Sequence, residues 1–270
     1  MPVITKIEVQ KKNKNRFNLY TERHGKEEYL FSVSEDVLVK FQLKKGMELD
    51  DLVVEEILFS EEIQKAFNSA IHYLSYRMRS EKETFQYLEE KGYEPPIIQE
   101  VIHRLKDRNY INDAQFAEAF VKNAINTADK GPSVIRRELL EKGICESFID
   151  QALSQFSEGL QLEKAIKLCE KLKRKKKASS KKLLQQELYA MLMRKGYGGT
   201  IAKVAIEELM ADTEEDSEWG AITVQGEKAW RKYKNESPEK RELKVKQFLF
   251  RKGFDLDVIH RFLSEKNLEE

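Results

Sequence analysis

Proline is scarce in this chain of 270 residues. There are five, and after Pro2 the others are Pro95, Pro96, Pro132 and Pro238, all where a helix could start or a turn fall. The long intervals between them are free of the residue that breaks helices. Cysteine is scarcer: Cys145 and Cys169 stand in no CxxC or Cys/His cluster. That excludes a disulfide framework and a zinc site, and both are expected as small buried apolar residues. No segment approaches the ~20 consecutive apolar residues of a membrane span. The start, "MPVITKIEVQ", lacks a basic region followed by an apolar run. A soluble, cytoplasmic chain with no membrane partner is expected.

Catalytic signatures are missing as well. The histidines His24, His72, His103 and His260 are scattered, none in HExxH spacing. There is no GxxxxGK[ST] loop and no strand followed by GxGxxG. The acidic residues lie on predicted helix surfaces without a paired geometry. The expectation is a non-enzyme with no catalytic residues, no cofactor and no metal.

Apolar residues make up 40% and charged residues 35%, against ~45–50% and ~25% in an ordinary globular chain. That is too little core for one large domain, while 14 Phe and 10 Tyr argue against disorder. Small helical units in tandem fit this balance. The net charge of +1 hides local asymmetry. Residues 171–182, "KLKRKKKASSKK", carry eight basic residues and no acid; residues 211–218, "ADTEEDSE", carry five acids and no base.

The first part of the chain alternates with a period of two: "VITKIEVQ", "NRFNLYTE" and "EEYLFSVS" read as strands, followed by a short helix in "EDVLVKFQL". From Glu61 the period becomes helical, with Ile63, Phe67, Ala70, Ile71 and Leu74 on one face.

A repeat then emerges. Lys-Gly followed by Tyr, Ile or Phe occurs at Gly92, Gly143, Gly196 and Gly253, with the glycines 51, 53 and 57 residues apart. Four positions before each stands a leucine: Leu88, Leu139, Leu192 and Leu249. Apolar pairs recur five and six, then nine and ten, positions after it. A basic helix end, a glycine in the left-handed region, an apolar residue and a new helix make a helix–turn–helix corner. A further helix precedes each corner, predicted over Glu61–Arg77, Asp113–Asn126, Glu158–Lys173 and Glu218–Lys234. Ser80 with Glu83 has capping-box spacing, and Ser237-Pro238 suits an N-cap and first helical position.

The predicted fold is therefore mainly α: an elongated tandem array of three-helix, helix-turn-helix-like repeats behind a small β-rich N-terminal module. The boundaries read as 1–58 for the module, then 59–108, 109–157, 158–211 and 217–270 for the repeats.

Basic residues crowd the first three corners and are the candidates for contact with a partner or DNA: Arg77 and Arg79; Lys130, Arg136, Arg137 and Lys142; and Lys173, Arg174, Lys175, Lys176, Lys177, Lys181, Lys182, Arg194 and Lys195. Isolated lysines often do no more than solvate a helix end. Eight like charges in twelve residues repel one another, and a polyanion relieves that. In "KGPSVIRRELLEKGI", the apolar face of Ile135, Leu139 and Leu140 sends Arg136 and Arg137 toward solvent or a partner. A binder of nucleic acid or nucleoprotein, a protein-binding helical scaffold and a general helix-turn-helix DNA binder are the three readings these residues leave open.

Residues Ala70 to Val121, "AIHYLSYRMRSEKETFQYLEEKGYEPPIIQEVIHRLKDRNYINDAQFAEAFV", resemble the core of the RecX family, regulatory proteins of bacterial recombination. The pattern A-x2-YLS-x-R-x-RS, then L-x2-KG, IND-x2-FA and KG-x3-I-x2-EL-x2-KGI carries the likeness. The β-like start and the fourth repeat match the longer form of that family. The resemblance implies a cytoplasmic monomer acting in recombination, DNA repair and the SOS response. It would bind in the groove of the RecA filament on single-stranded DNA and inhibit filament growth, ATP hydrolysis and strand exchange, with duplex DNA as a further partner.

Overall fold

The period-two segments form a three-stranded antiparallel sheet in the order β1-β2-β3, with β1 Lys6–Val9, β2 Arg16–Arg23 and β3 Lys26–Ser34. In the computed structural model, residues 2–176, 179–211 and 215–269 are described. Alternation sends Leu19, Phe31 and Val33 inward, where they meet Ile4, Leu49 and Val37 of helix α1 (Glu35–Lys40). Ile57 completes this core from helix α2, Asp51–Tyr76. This one helix thus serves the module with its N-terminal turns and the first repeat with Ile63, Ala66, Phe67 and Ala70 further along, running across position 58. The buried carboxylate of Glu61 fastens the two, accepting from the Ser34 N–H at 2.7 Å and pairing with Arg16 at 2.8 Å.

The rest of the chain is helical. Helices α3 (Glu81–Glu90) and α4 (Pro95–Asp107) pack on α2 around Leu88, Ile97, Ile98, Val101 and Leu105. Then come α5 (Asp113–Thr127), α6 (Pro132–Glu141) and α7 (Glu146–Leu153). The third set is α8 (Glu158–Lys175), α9 (Lys181–Lys195) and α10 (Gly199–Ala211). The last is α11 (Glu215–Lys232), α12 (Pro238–Arg251) and α13 (Leu256–Glu269). This fourth set has its own core of Ile222, Trp230, Val245, Leu249, Ile259 and Phe262. Contacts divide the chain into two compact units, Met1–Phe116 with Lys142–Cys145, and Ala117–Glu141 with Glu146–Glu270. Mainly α, with three-helix repeats and a small N-terminal sheet, is the fold expected from the sequence. Cys169 is buried as expected. Cys145 is a correction: it is exposed, because it sits two positions past the corner glycine, beyond the inward-facing Ile144.

Each corner glycine has positive φ: +85° at Gly92, +82° at Gly143, +85° at Gly196 and +82° at Gly253. The recurring leucine has a backbone role besides its packing. Its carbonyl accepts from the residue after the glycine, Tyr93 to Leu88 at 3.2 Å, Tyr197 to Leu192 at 3.0 Å and Phe254 to Leu249 at 3.3 Å, closing the last turn as a Schellman motif does.

The corners also join repeats. The Ser80 hydroxyl, at the start of α3, donates to the Lys142 carbonyl at 2.8 Å; that of Ser180, at the start of α9, donates to the Lys252 carbonyl at 2.7 Å. At the start of α6 the donor is backbone instead, the Gly131 N–H to the Lys195 carbonyl at 2.6 Å, followed by Ser133 N–H to Gly196 at 3.1 Å.

Candidate partner-binding surface

The predicted basic residues fall into two groups. One group is already engaged. Glu83 is the hub of the first corner: Lys142 Nζ reaches its Oε1 at 2.9 Å, Arg77 Nη2 reaches the same oxygen at 3.1 Å, and the Ser80 N–H donates to Oε2 at 3.2 Å. Ser80 accepts in return from the Glu83 N–H at 3.1 Å, completing the capping box. Burial pushes the Glu83 carboxyl up, and Lys142, Arg77 and Ser80 together outweigh it, leaving its pKa below the ordinary value. Lys130 chelates Glu138 at 2.7 and 2.8 Å. Arg136 forks onto Asp150 and Glu146 of α7, which hold it more firmly protonated. Arg136 does leave the apolar face, and its first partners belong to the next helix of its own repeat. Lys173 donates to the Leu209 carbonyl at 3.3 Å, Lys176 pairs with Glu187 at 3.1 Å, and Arg174 lies 3.6 Å from Glu170.

The other group keeps its charge available. Arg137 is mostly exposed, with Glu141 no nearer than 3.9 Å. Among the described residues Lys175, Lys181, Lys182, Arg194 and Lys195 have no carboxylate within salt-bridge distance, and all but Lys195 are exposed. Lys177 lies outside the described residues. Lys181 and Lys182 are the informative pair. They open α9 behind the N-cap Ser180, whose hydroxyl also accepts from Leu183 at 3.3 Å, and the first turn holds no acid. Cations at a helix N-terminus oppose the macrodipole, which prefers anions there. Lysines plus unsatisfied N–H groups make this end electropositive, a setting that an external phosphate or carboxylate relieves.

Arg79 was predicted for contact by charge alone, and its setting was not legible from spacing. Its guanidinium lies 4.3 Å over the Tyr73 ring, and its Nε is buried without a hydrogen-bond partner. The aromatic and basic residues of "YLSYRMR" were the available signal. Among the described residues no group of three His, Cys, Asp or Glu side chains could hold a metal ion, and no helix is long and apolar enough to cross a membrane.

Comparison with known proteins places this architecture. Residues 2–50 match the regulatory protein RecX N-terminal domain, 66–105 the first RecX three-helix domain, 112–153 the second and 216–263 the third. The domain described there as third therefore falls on the α11–α13 set. The regulatory protein RecX of Bacillus subtilis (strain 168) is 48% identical over 266 residues, covering 98% of this chain and 99% of that one. That of Halalkalibacterium halodurans is 42% identical with 98% and 100% covered. A crystal structure of a regulatory protein RecX superposes with a TM-score of 0.70 at 36% identity, covering 77% of this chain and all of the other. RecX from Lactobacillus salivarius gives 0.54, also at 36%, covering 56% and 97%.

Proposed function

This chain belongs to the RecX family, and from that premise we propose that it restrains the RecA recombinase by binding its filament on single-stranded DNA. Its role is regulatory. In the proposed action it lies against the nucleoprotein, inhibits filament growth and lowers ATP hydrolysis and strand exchange. Contact with free single-stranded and duplex DNA is the weaker, sequence-independent part of the same activity. The protein acts as a cytoplasmic monomer and performs no chemistry itself.

The observation that carries the nucleoprotein part is the set of uncompensated cations on the third repeat, Lys175, Lys181 and Lys182 above all. A helix start bearing two lysines and no acid favours a polyanion over a neutral protein surface. Arg194 and Lys195 extend the set, and Arg137 on the second repeat, exposed with Glu141 at 3.9 Å, adds a further cation outside it. Lys142, Arg77, Lys130 and Arg136 hold the fold first and meet a partner only at their remaining edges.

The test is RecA ATP hydrolysis on single-stranded DNA with the full chain added. Hydrolysis is expected to fall as the protein is titrated in. An unchanged rate, with tight binding to some other protein, would instead favour a helical scaffold.

A further inference from the structure

Two tyrosines and two cations form a column on the first repeat. The rings of Tyr73 (α2) and Tyr87 (α3) stack at 4.0 Å and 2°. The Arg79 guanidinium lies 4.3 Å over Tyr73, and Lys91 Nζ lies 5.6 Å over Tyr87. Two groups so close cannot share one face of Tyr73, so Arg79 covers the face opposite Tyr87 and ends the column. Arg241 over Trp230 also reaches the Trp230 carbonyl, and Arg261 over Trp219 has Glu265 at 3.6 Å. Arg79 has no carboxylate partner among the described residues, and its buried Nε is unsatisfied. Arg108 over Phe67, at 5.0 Å, likewise has no carboxylate partner among the described residues, and what sets Arg79 apart is its buried Nε. Such a group needs an explanation beyond packing. Beside it, Tyr76 is 72% and Met78 50% exposed.

We infer that this column is a stacking platform for an unpaired nucleobase of single-stranded nucleic acid, the base lying on the outer face of the Arg79 guanidinium with Tyr76 and Met78 along its edge. The inference rests on the single-stranded-DNA part of the reading above and names a contact within it. Planar guanidinium and aromatic faces are what splayed bases stack on. A phosphate or carboxylate fits less well. The adjacent Arg77 is already engaged by Glu83, so the surroundings offer flat apolar surface in place of concentrated charge. The phosphates would be met elsewhere, by the third-repeat lysines.

The test uses the full chain and two oligonucleotides of equal length, oligo-dT and an abasic strand with the same phosphates, read by fluorescence anisotropy. Oligo-dT is expected to bind about tenfold more tightly, within the range one stacked base supplies. Arg79→Lys keeps the charge and loses the plane. It should erase the preference while leaving the salt dependence of oligo-dT binding unchanged. Equal binding of both strands by the wild type, which needs no variant to fold, overturns the inference. So does a preference that survives in Arg79→Lys. RecA ATPase inhibition measured alongside separates the two readings: inhibition without base preference sinks the platform alone, and base preference without inhibition sinks the RecA reading alone.

Discussion

The hydroxyl of Ser80 donates to the backbone carbonyl of Lys142 at 2.8 Å, across 62 positions of sequence. The same oxygen accepts from the Glu83 N–H. One buried atom therefore caps α3 and holds the Lys-Gly corner of the next repeat. Ser180 does the same for Lys252 across 72 positions.

Ser80→Ala removes both bonds and leaves the Lys142 carbonyl without its hydroxyl donor. A lost cap costs ~1 kcal/mol, and a buried acceptor left unmet adds ~1–3 kcal/mol. Urea denaturation should show a loss of about 2–4 kcal/mol for Ser80→Ala, with Ser180→Ala comparable. A change under ~0.5 kcal/mol, typical of a surface site, would mean that the hydroxyl does not bridge the repeats.

Which parts of this were legible follows from range. Lys-Gly corners and their leucines could be read because each is a local device: a left-handed residue and an apolar stripe within about ten positions. The capping box of Ser80 and Glu83 is local too. The second bond of Ser80, and Glu83 gathering Lys142 as well as Arg77, depend on residues about sixty positions away and leave no periodic trace. The same blindness explains Arg136. Its direction off the apolar face is readable in the helical period; its pairing with Glu146 and Asp150 of α7 depends on how the corner folds back and leaves no periodic trace.

The corner glycines should differ in tolerance. At Gly92 (φ +85°) an added Cβ meets nothing within 4 Å; at Gly196 (φ +85°) it would stand 2.6 Å from the Val134 backbone nitrogen. Gly92→Ala should cost only the left-handed strain, ~1–2 kcal/mol, and Gly196→Ala clearly more. Gly131→Ser, which would make this repeat look like its neighbours, should be worse than neutral, because its Cβ would lie 2.4 Å from the Gly196 carbonyl carbon. Thermal melts of the three variants give the order; equal losses at Gly92 and Gly196 would show that the joint yields.

Cys145 is exposed and Cys169 buried, its thiol pushed up to about 11 by burial. A thiol-reactive disulfide reagent at neutral pH should modify one cysteine rapidly and the second only on unfolding, since the thiolate is the reactive form. Two equally fast thiols would contradict the packing of α8.

Glu83 makes stability depend on acidity. Its folded pKa lies below its unfolded value, so the stabilisation is fully present above the ordinary glutamate range near ~4.3 and is lost as pH falls through the depressed value. Glu83→Gln should therefore be less stable than the wild type at pH 7, with the gap closing at acid pH. Asp113, whose pKa burial raises, has the opposite sign and should not produce this trend. Urea midpoints of both proteins from pH 7 downward check it; a gap independent of pH would assign Glu83 a packing role only.

Replacing Lys175, Lys181 and Lys182 by glutamine together tests the division of the cations. All three are exposed and without carboxylate partners among the described residues, so folding should be unaffected or improved slightly at α9, where two charges opposing the helix dipole disappear. If each meets a phosphate, affinity for single-stranded DNA falls and the slope of log K against log salt becomes shallower by about 2, at ~0.7 per contact. Lys130→Gln with Arg136→Gln removes two positive charges from side chains committed to Glu138, Asp150 and Glu146. That pair should change the slope little and lower stability by about 1 kcal/mol or less, as exposed ion pairs do. The contrast separates bound charge from net charge: slope changes in proportion to the charges removed, three against two, would mean that DNA responds to the total charge of the protein, and the assignment to the third repeat would fall.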